Sequence, residues 1–405
     1  MKKTLFVHIG TPKTGTSAIQ NYCSINNARI QATGTIYPNL GFEFPGIGIN
    51  RNAHFLVNTI KNAEGKRDKA AEEELVNGGL GRLMAGFEEY DKVVISDENL
   101  WNSTNFNDKK VNLLKSVCDE HDVDLKFIVY LRRQDVLIQS YWAQQVKEKM
   151  PLTFTEYIES GKYKFFKLDY YERLEKISAI CGKESLIVRT YEKSQYYKGS
   201  ITADFLHLLG IETDPSFQEP DHVVNPSLSG PVLEVKRILN KMEDYSQKGS
   251  FIIPLMNAYQ NDHYEKTNYS GAEYFTPDMH RDFMAQYEES NRKTAQEYLG
   301  REDGILFYEE IEVPAIEDSP LSRYDMETMI LVCGELLARQ HDIVEGFKEK
   351  LKEKNDEIYH IKQDLQSAER NLHTTETKLN SMVAYYNQSF LKRGTLKVKK
   401  ILSRK

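Results

Sequence analysis

The chain has 405 residues and a formal net charge of −7. That length buries a large core and holds more than one structural unit, while the acidic balance argues against a general nucleic-acid binder and still permits a local basic cleft. Four cysteines, Cys23, Cys118, Cys181 and Cys333, are scattered without a CxxC pair or metal-ligand spacing, which fits a reducing compartment.

The opening MKKTLFV imitates the charged start of a signal peptide, but its apolar run is short and no small-residue cleavage site follows. No run of about 20 apolar residues is present to span a membrane, so a cytoplasmic chain is expected. That same run, TLFVHI, predicts a strand that turns through GTPKTGTS into a helix. A loop between strand and helix aims backbone N–H groups and the positive end of a helix dipole at one spot, which suits an anion. Gly10, Gly15 and Ser17 keep the spacing of the nucleotide loop G-x-x-x-x-G-K-[ST], but Thr16 stands where the lysine belongs and Lys13 lies earlier, inside the turn. A lysine after the second glycine reaches the terminal phosphates of a nucleoside triphosphate; one inside the turn sits nearer the first phosphate and the atom leaving from it. An ordinary turn with a solvated lysine is the plainer alternative.

Next come His54, in NRNAHFLV, and the strand predicted at 93–95, which ends in Ser96, Asp97 and Glu98. A strand-end acid can take a proton from a hydroxyl. It can equally bind magnesium, in which case Asp97 and Ser17 would hold the metal and Lys13 the phosphates of a nucleotide. In KFIVYLRRQDVLIQSYWAQQ a buried strand at 127–131 precedes a helix with Gln134 and Asp135 in its first turn. Arg132 offers a fork of donors to phosphate oxygens, and Ser140, eight positions on, adds a neutral donor. Arg133 is either the ligand in its place or a salt-bridging, acceptor-facing neighbour. A further strand, SLIVRTYEKS, ends in Arg189, Thr190, Tyr191 and Glu192 before the helical ADFLHLLGI; the Tyr191 ring would lie against a base or simply pack.

Taken in this order, the PKTGTS loop, the strand-end acid, the Arg…Ser helix and the YE strand resemble the sulfotransferases that use 3′-phosphoadenosine-5′-phosphosulfate (PAPS), over about the first three quarters of the chain. The bacterial members that modify carbohydrates or related hydroxyl acceptors are most similar. The resemblance implies an α/β fold with a P-loop-like central parallel sheet and helices on both faces, PAPS as donor, its bisphosphate PAP as product, and no metal. It implies that Lys13, Thr14, Gly15, Thr16 and Ser17 hold the 5′-phosphosulfate, that Arg132 and Ser140 hold the 3′-phosphate, and that Tyr191 lies near the nucleotide. Glu98 is then the first choice of base, His54 its rival, and Asp97 a third choice that orients the neighbouring acid or the acceptor. HVVNPSLSG, with Asn225, Pro226 and Ser227, resembles a segment found before a helix in such proteins, and is locally a helix start with Asn225 or Ser227 as cap. A kinase or NTPase using Mg-ATP is the competing enzyme; it leaves Thr16, Arg132 and Ser140 without roles. A catalytically silent scaffold acting through its C-terminal helix is the non-enzyme alternative.

Residues 215–320 are rich in Tyr, Asn, Asp and Glu; the segment from Ser246 to Pro277 reads as an irregular excursion between two helices, and one amphipathic helix is expected over 278–298. From Ile343 the sequence is charge-rich and proline-free, with Val344, Phe347, Leu351, Ile358, Ile361, Leu365, Ala368, Leu372, Leu379 and Met382 on alternating steps of three and four. That is a coiled-coil pattern, and self-association is the direct reading; a long helix folded back on the catalytic domain is the alternative. The last stretch, SFLKRGTLKVKKILSRK, is basic and interleaved with apolar residues, a composition that suits the anionic inner face of a membrane, with Gly394 expected to interrupt any helix. The expected division is 1–320 sulfotransferase domain, 321–388 long helix or coiled coil, and 389–405 basic tail.

Overall fold

The computed structural model describes residues 2–219, 228–242, 252–263, 273–311, 313 and 326–402. Five strands, β1 (Lys3–His8), β2 (Thr35–Ile36), β3 (Lys92–Ser96), β4 (Val123–Leu131) and β5 (Leu186–Thr190), form one sheet in the order β2-β3-β1-β4-β5. Every pairing is parallel, with Val7 opposite Ile95 on one side and Phe127 on the other. Strands buried on both faces read as continuous apolar runs, which is why VVIS and FIVYL were legible. Alternate residues serve two cores. Leu5, Val7, Val93, Ile95, Phe127 and Val129 face one; Phe6, Val94, Ile128 and Tyr130 face the other.

The longer helices of this part are α1 (Thr16–Ile25), α2 (Lys69–Gly86), α3 (Asp108–Glu120), α4 (Gln134–Glu148), α5 (Tyr170–Cys181), α6 (Ile201–Leu208), α7 (Gly230–Leu239), α8 (Ile253–His263), α9 (Pro277–Ala285) and α10 (Glu288–Tyr298). α2, α3 and α5 cover the first core through Leu80, Leu83, Leu114 and Leu174, and α1 and α6 cover the second through Ile19, Tyr22, Phe205 and Leu206. The chain builds β2 and β3 on one side of β1 and β4 and β5 on the other. The carboxyl end of β1 is therefore the point where connections diverge, which is where open parallel sheets leave a crevice for ligands.

Two expectations for this part of the chain differ from the structure, and a third cannot be set against it. The helix expected over 278–298 is two helices, α9 and α10, because Tyr287 leaves helical angles (φ −115°, ψ −3°) and the next helix starts there. Within the supposed irregular excursion, Ile253–His263 is helical; its Leu255, Met256 and Tyr259 bury an apolar side that outweighs the loop-like composition around it. Asn225, Pro226 and Ser227 lie outside the described residues, and α7 begins after Ser229.

By internal packing the chain divides into Met1–Cys333 and Gly334–Lys405. A single helix, α11 (Met326–Leu402), 77 residues long, runs to the end of the described residues and passes through Gly394 without a break. One glycine costs a helix about 1 kcal/mol relative to alanine, too little to stop one of this length. Among the described residues no helix is long and apolar enough to cross a membrane.

Candidate active site at the carboxyl end of the sheet

The loop after β1 is pinned on both sides. Toward β4, the Ile9 and Thr11 N–H groups donate to the Ile128 and Tyr130 carbonyls (both 3.0 Å), and the Tyr130 N–H donates back to Gly10 (2.9 Å). Toward β3, a Cβ on Gly10 would stand 3.0 Å from the Glu98 carbonyl oxygen, so the loop lies directly on the end of that strand. Gly10, Lys13 and Gly15 have φ of +102°, +64° and +70°. The two glycines take this region without a Cβ penalty, whereas Lys13 there stores of order 1 kcal/mol that its surroundings must offset. The Thr14 hydroxyl donates to the Thr11 carbonyl (2.5 Å) and Thr16 reaches the same oxygen (3.4 Å), so both side chains brace the loop and leave their N–H groups for a ligand. Ser17 is exposed on the first turn of α1.

α1 starts with Gly15 as its cap and no side chain accepting from its first N–H groups. Those groups have no intrahelical partner, and the dipole adds positive potential, so the end is arranged for an outside anion. A Cβ on Gly15 would meet Ile201 Cδ1 at 3.1 Å and Tyr191 Cε2 at 3.4 Å, which sets the Tyr191 ring against the cradle.

Two cations converge here. The Arg132 guanidinium donates through Nη1 to the Lys13 carbonyl (2.6 Å) and lies over the Tyr191 ring at 5.3 Å, while the Tyr170 hydroxyl donates to the Arg132 carbonyl. Lys13 Nζ donates to Gln144 Oε1 on α4 (3.2 Å). Burial pulls the pKa of both cations down, and the nearby Arg132 charge lowers Lys13 further. Among the described residues no carboxylate forms an ion pair with either one. Ser140 is buried on α4 one turn before Gln144, so it shares the helix face that meets Lys13. Arg133 turns elsewhere: it pairs with buried Asp135 (3.0 Å), which also binds His280 of α9 (2.7 Å), and neighbouring Gln134 exchanges amide hydrogen bonds with Asn291 of α10 (2.7 and 3.2 Å).

On the β3 side, the fully buried Asp97 accepts two bonds from Arg51 (Nε 3.1 Å, Nη2 2.7 Å), one from His54 Nδ1 (2.9 Å) and one from the Asn99 N–H (2.7 Å). Burial would raise its pKa, but the bonds from His54 and Arg51 prevail and hold the carboxyl below its ordinary value. With both oxygens engaged, Asp97 orients its neighbours; a metal-binding role is not compatible with these partners. Glu98 is the available acid. Burial raises its carboxyl above the ordinary value, opposed by Arg51, whose Nη1 is 3.4 Å from Oε1, and by Lys13 across the loop.

The structure thus gathers Lys13, Thr14, Gly15, Thr16, Glu98, Arg132 and Tyr191 in and around the loop after β1, with His54 joined to it through Asp97. Sequence reasoning missed Arg51, although it sits three residues before His54 and the intervening turn brings both to one carboxylate; it also missed Gln144, one turn after Ser140. An anion cradle with two desolvated cations and a carboxylate opposite can hold a doubly phosphorylated ligand and take a proton from a hydroxyl.

No family model matches the chain. An uncharacterized protein of Archaeoglobus fulgidus is 31% identical over 195 residues, 46% of this chain; the chain spans 49%, about half, of the length of that curated relative. Among solved structures, a sulfotransferase from Alicyclobacillus acidocaldarius aligns with 56% of this chain and 88% of its own, at 16% identity and a TM-score of 0.32. A likeness at that TM-score lends no weight to the functional reading.

Proposed function

We propose that the chain is a sulfotransferase that moves a sulfuryl group from PAPS to an acceptor hydroxyl, with a carbohydrate or glycan as the acceptor class. One observation carries the reading: Lys13 and Arg132 are half-buried, partly desolvated cations that among the described residues form no ion pair with a carboxylate, beside an uncapped helix N-terminus. PAPS presents two anionic ends, a 5′-phosphosulfate and a 3′-phosphate, which match two such cations. A nucleoside triphosphate has no use for Arg132 at the end of β4.

In this reading the loop N–H groups and the α1 dipole bind the 5′-phosphate, and Arg132 with Ser140 binds the 3′-phosphate, so binding energy remote from sulfur orients the reacting centre. The acceptor oxygen attacks sulfur in line; the new S–O bond forms as the bond from sulfur to the bridging oxygen breaks, and PAP departs. Lys13 neutralises the charge growing on that oxygen, a contribution of roughly 3–4 kcal/mol for a well-aimed donor. Glu98 takes the acceptor proton. The His54–Asp97 bond supports a second assignment, with Nδ1 fixed by the buried carboxylate and Nε2 left for the acceptor. Glu98 is preferred because it lies within electrostatic reach of Lys13.

Calorimetric titration with adenosine 3′,5′-bisphosphate, ADP and ATP, each with and without magnesium, tests the donor class. Tight magnesium-independent binding of the bisphosphate is expected. Preference for ATP with magnesium would replace this reading by a kinase-like one.

A further inference from the structure

α11 carries an apolar stripe that the described structure leaves in water. Val344, Leu351, Ile358, Leu365, Leu372, Leu379 and Tyr386 recur at every seventh residue, and Phe347, Ile361, Ala368 and Met382 follow three places later, with Lys354 and Thr375 in that same second column. The large apolar members of the stripe are 42–67% exposed. In heptad terms the first column is a and the second is d, and the repeat lasts longer than the three or four heptads that distinguish a coiled coil from chance. A stripe lying on a globular surface or a bilayer would follow the helix's own 3.6-residue turn. One held at 3.5 stays on a single side only when another helix winds around it.

We propose that this stripe is the interface with a second copy of the chain, the helices running parallel and in register. Charge favours that alignment over the fully overlapped antiparallel one. In parallel, Glu357 of one copy meets Lys362 of the other, against one unfavourable meeting, Asp364 with Glu369. Antiparallel overlap sets Lys350 against Lys378 and both Asp364 and Lys362 against their own copies, and gains only Lys348 with Glu376. Lys354, the charged member of the d column, has its ammonium 2.7 Å from Glu357 of its own helix, so that carboxylate would be shared between Lys354 and Lys362 of the other copy. The inference concerns α11 alone and stands or falls independently of the donor proposed above.

Sedimentation equilibrium of the full chain at about 50 µM tests it, since association is concentration-dependent. The expected mass is at least twice that of the 46.9 kDa chain, and Leu365→Lys with Leu372→Lys should return it to 46.9 kDa with the circular dichroism of the rest retained. Ala368→Cys in a Cys333→Ser background should form a disulfide-linked dimer on mild oxidation, because Ala368 meets its own counterpart only in the parallel register. A wild-type monomer, or a mass unmoved by the double lysine variant, overturns the proposal. So does a monomer that binds anionic vesicles through Leu365 and Leu372, which would make lipid the occupant.

Discussion

Arg132→Ala separates the two anion sites. The side chain commits Nη1 to the Lys13 carbonyl, which leaves Nη2 and Nε for a phosphate. A hydrogen bond to a charged group contributes about 1.5–3 kcal/mol, so two give roughly 3–6 kcal/mol before the burial cost of the cation is subtracted. Its lowered pKa records that cost in the ligand-free protein, and removing the side chain relieves it. A net loss of about 2–4 kcal/mol remains, roughly 30- to 700-fold in Kd at about 1.4 kcal/mol per tenfold. Calorimetry with adenosine 3′,5′-bisphosphate and with AMP isolates the 3′-phosphate as a thermodynamic cycle. Wild type should prefer the bisphosphate; Arg132→Ala should lose most of that preference, Ser140 keeping the remainder, with AMP affinity unchanged, and Arg132→Lys should recover part of the difference. Undiminished discrimination would refute the assignment, and equal weakening of both ligands would show that Arg132 only supports the loop.

Lys13→Ala should lower single-turnover rates by roughly 10²–10³-fold while most bisphosphate affinity remains, because its charge is needed where the leaving oxygen becomes anionic; unchanged turnover would remove Lys13 from the chemistry. A base must be ionised, so activity should fall as pH drops through the carboxyl pKa of Glu98, which burial sets above 4.5, and Glu98→Gln should abolish that acid limb together with the rate. Arg51→Met removes a cation that favours the Glu98 carboxylate, so the limb should move to higher pH; a limb that stays put in the pH–rate profile would transfer the base to another group. The same variant leaves Asp97 without its bidentate partner, and thermal unfolding should register a loss of about 3–5 kcal/mol, the cost of breaking a buried ion pair.

The elements around the crevice were legible because their signals are local. VVIS and FIVYL are unbroken apolar runs, and PKTGTS punctuates a strand and a helix at fixed spacing. Arg51 and Gln144 were not legible, since their partners lie 46 and 131 residues away and no short-range pattern encodes them. The division of labour between Asp97 and Glu98 is also a product of the sheet. The Asp97 N–H donates to the His8 carbonyl, which continues the strand pairing and commits that side chain to the interior, while its neighbour stays partly exposed. The positive φ of Lys13 is set by tertiary contacts, so nothing in the residue type announces it.

The clamp on α4 has a consequence for how the protein comes to exist. Both cations, Lys13 and Arg132, belong to the first third of the chain, but Asp135 and Gln134, which begin the helix beside Arg132, are tied down by His280 and Asn291, 145 and 157 residues later. Domains are synthesised from the N-terminus at about 5–20 residues per second, so the sheet end carrying the cations emerges on the order of ten seconds before its clamp. During that interval the start of α4 and Arg132 are held by contacts made earlier in the chain, among them the bonds from Gln134 to the Leu168 carbonyl, from the Tyr170 hydroxyl to the Arg132 carbonyl and from Arg132 to the Lys13 carbonyl. The two ties from His280 and Asn291 on the start of α4 can therefore form only after α9 and α10 have been made, later than every strand of the sheet.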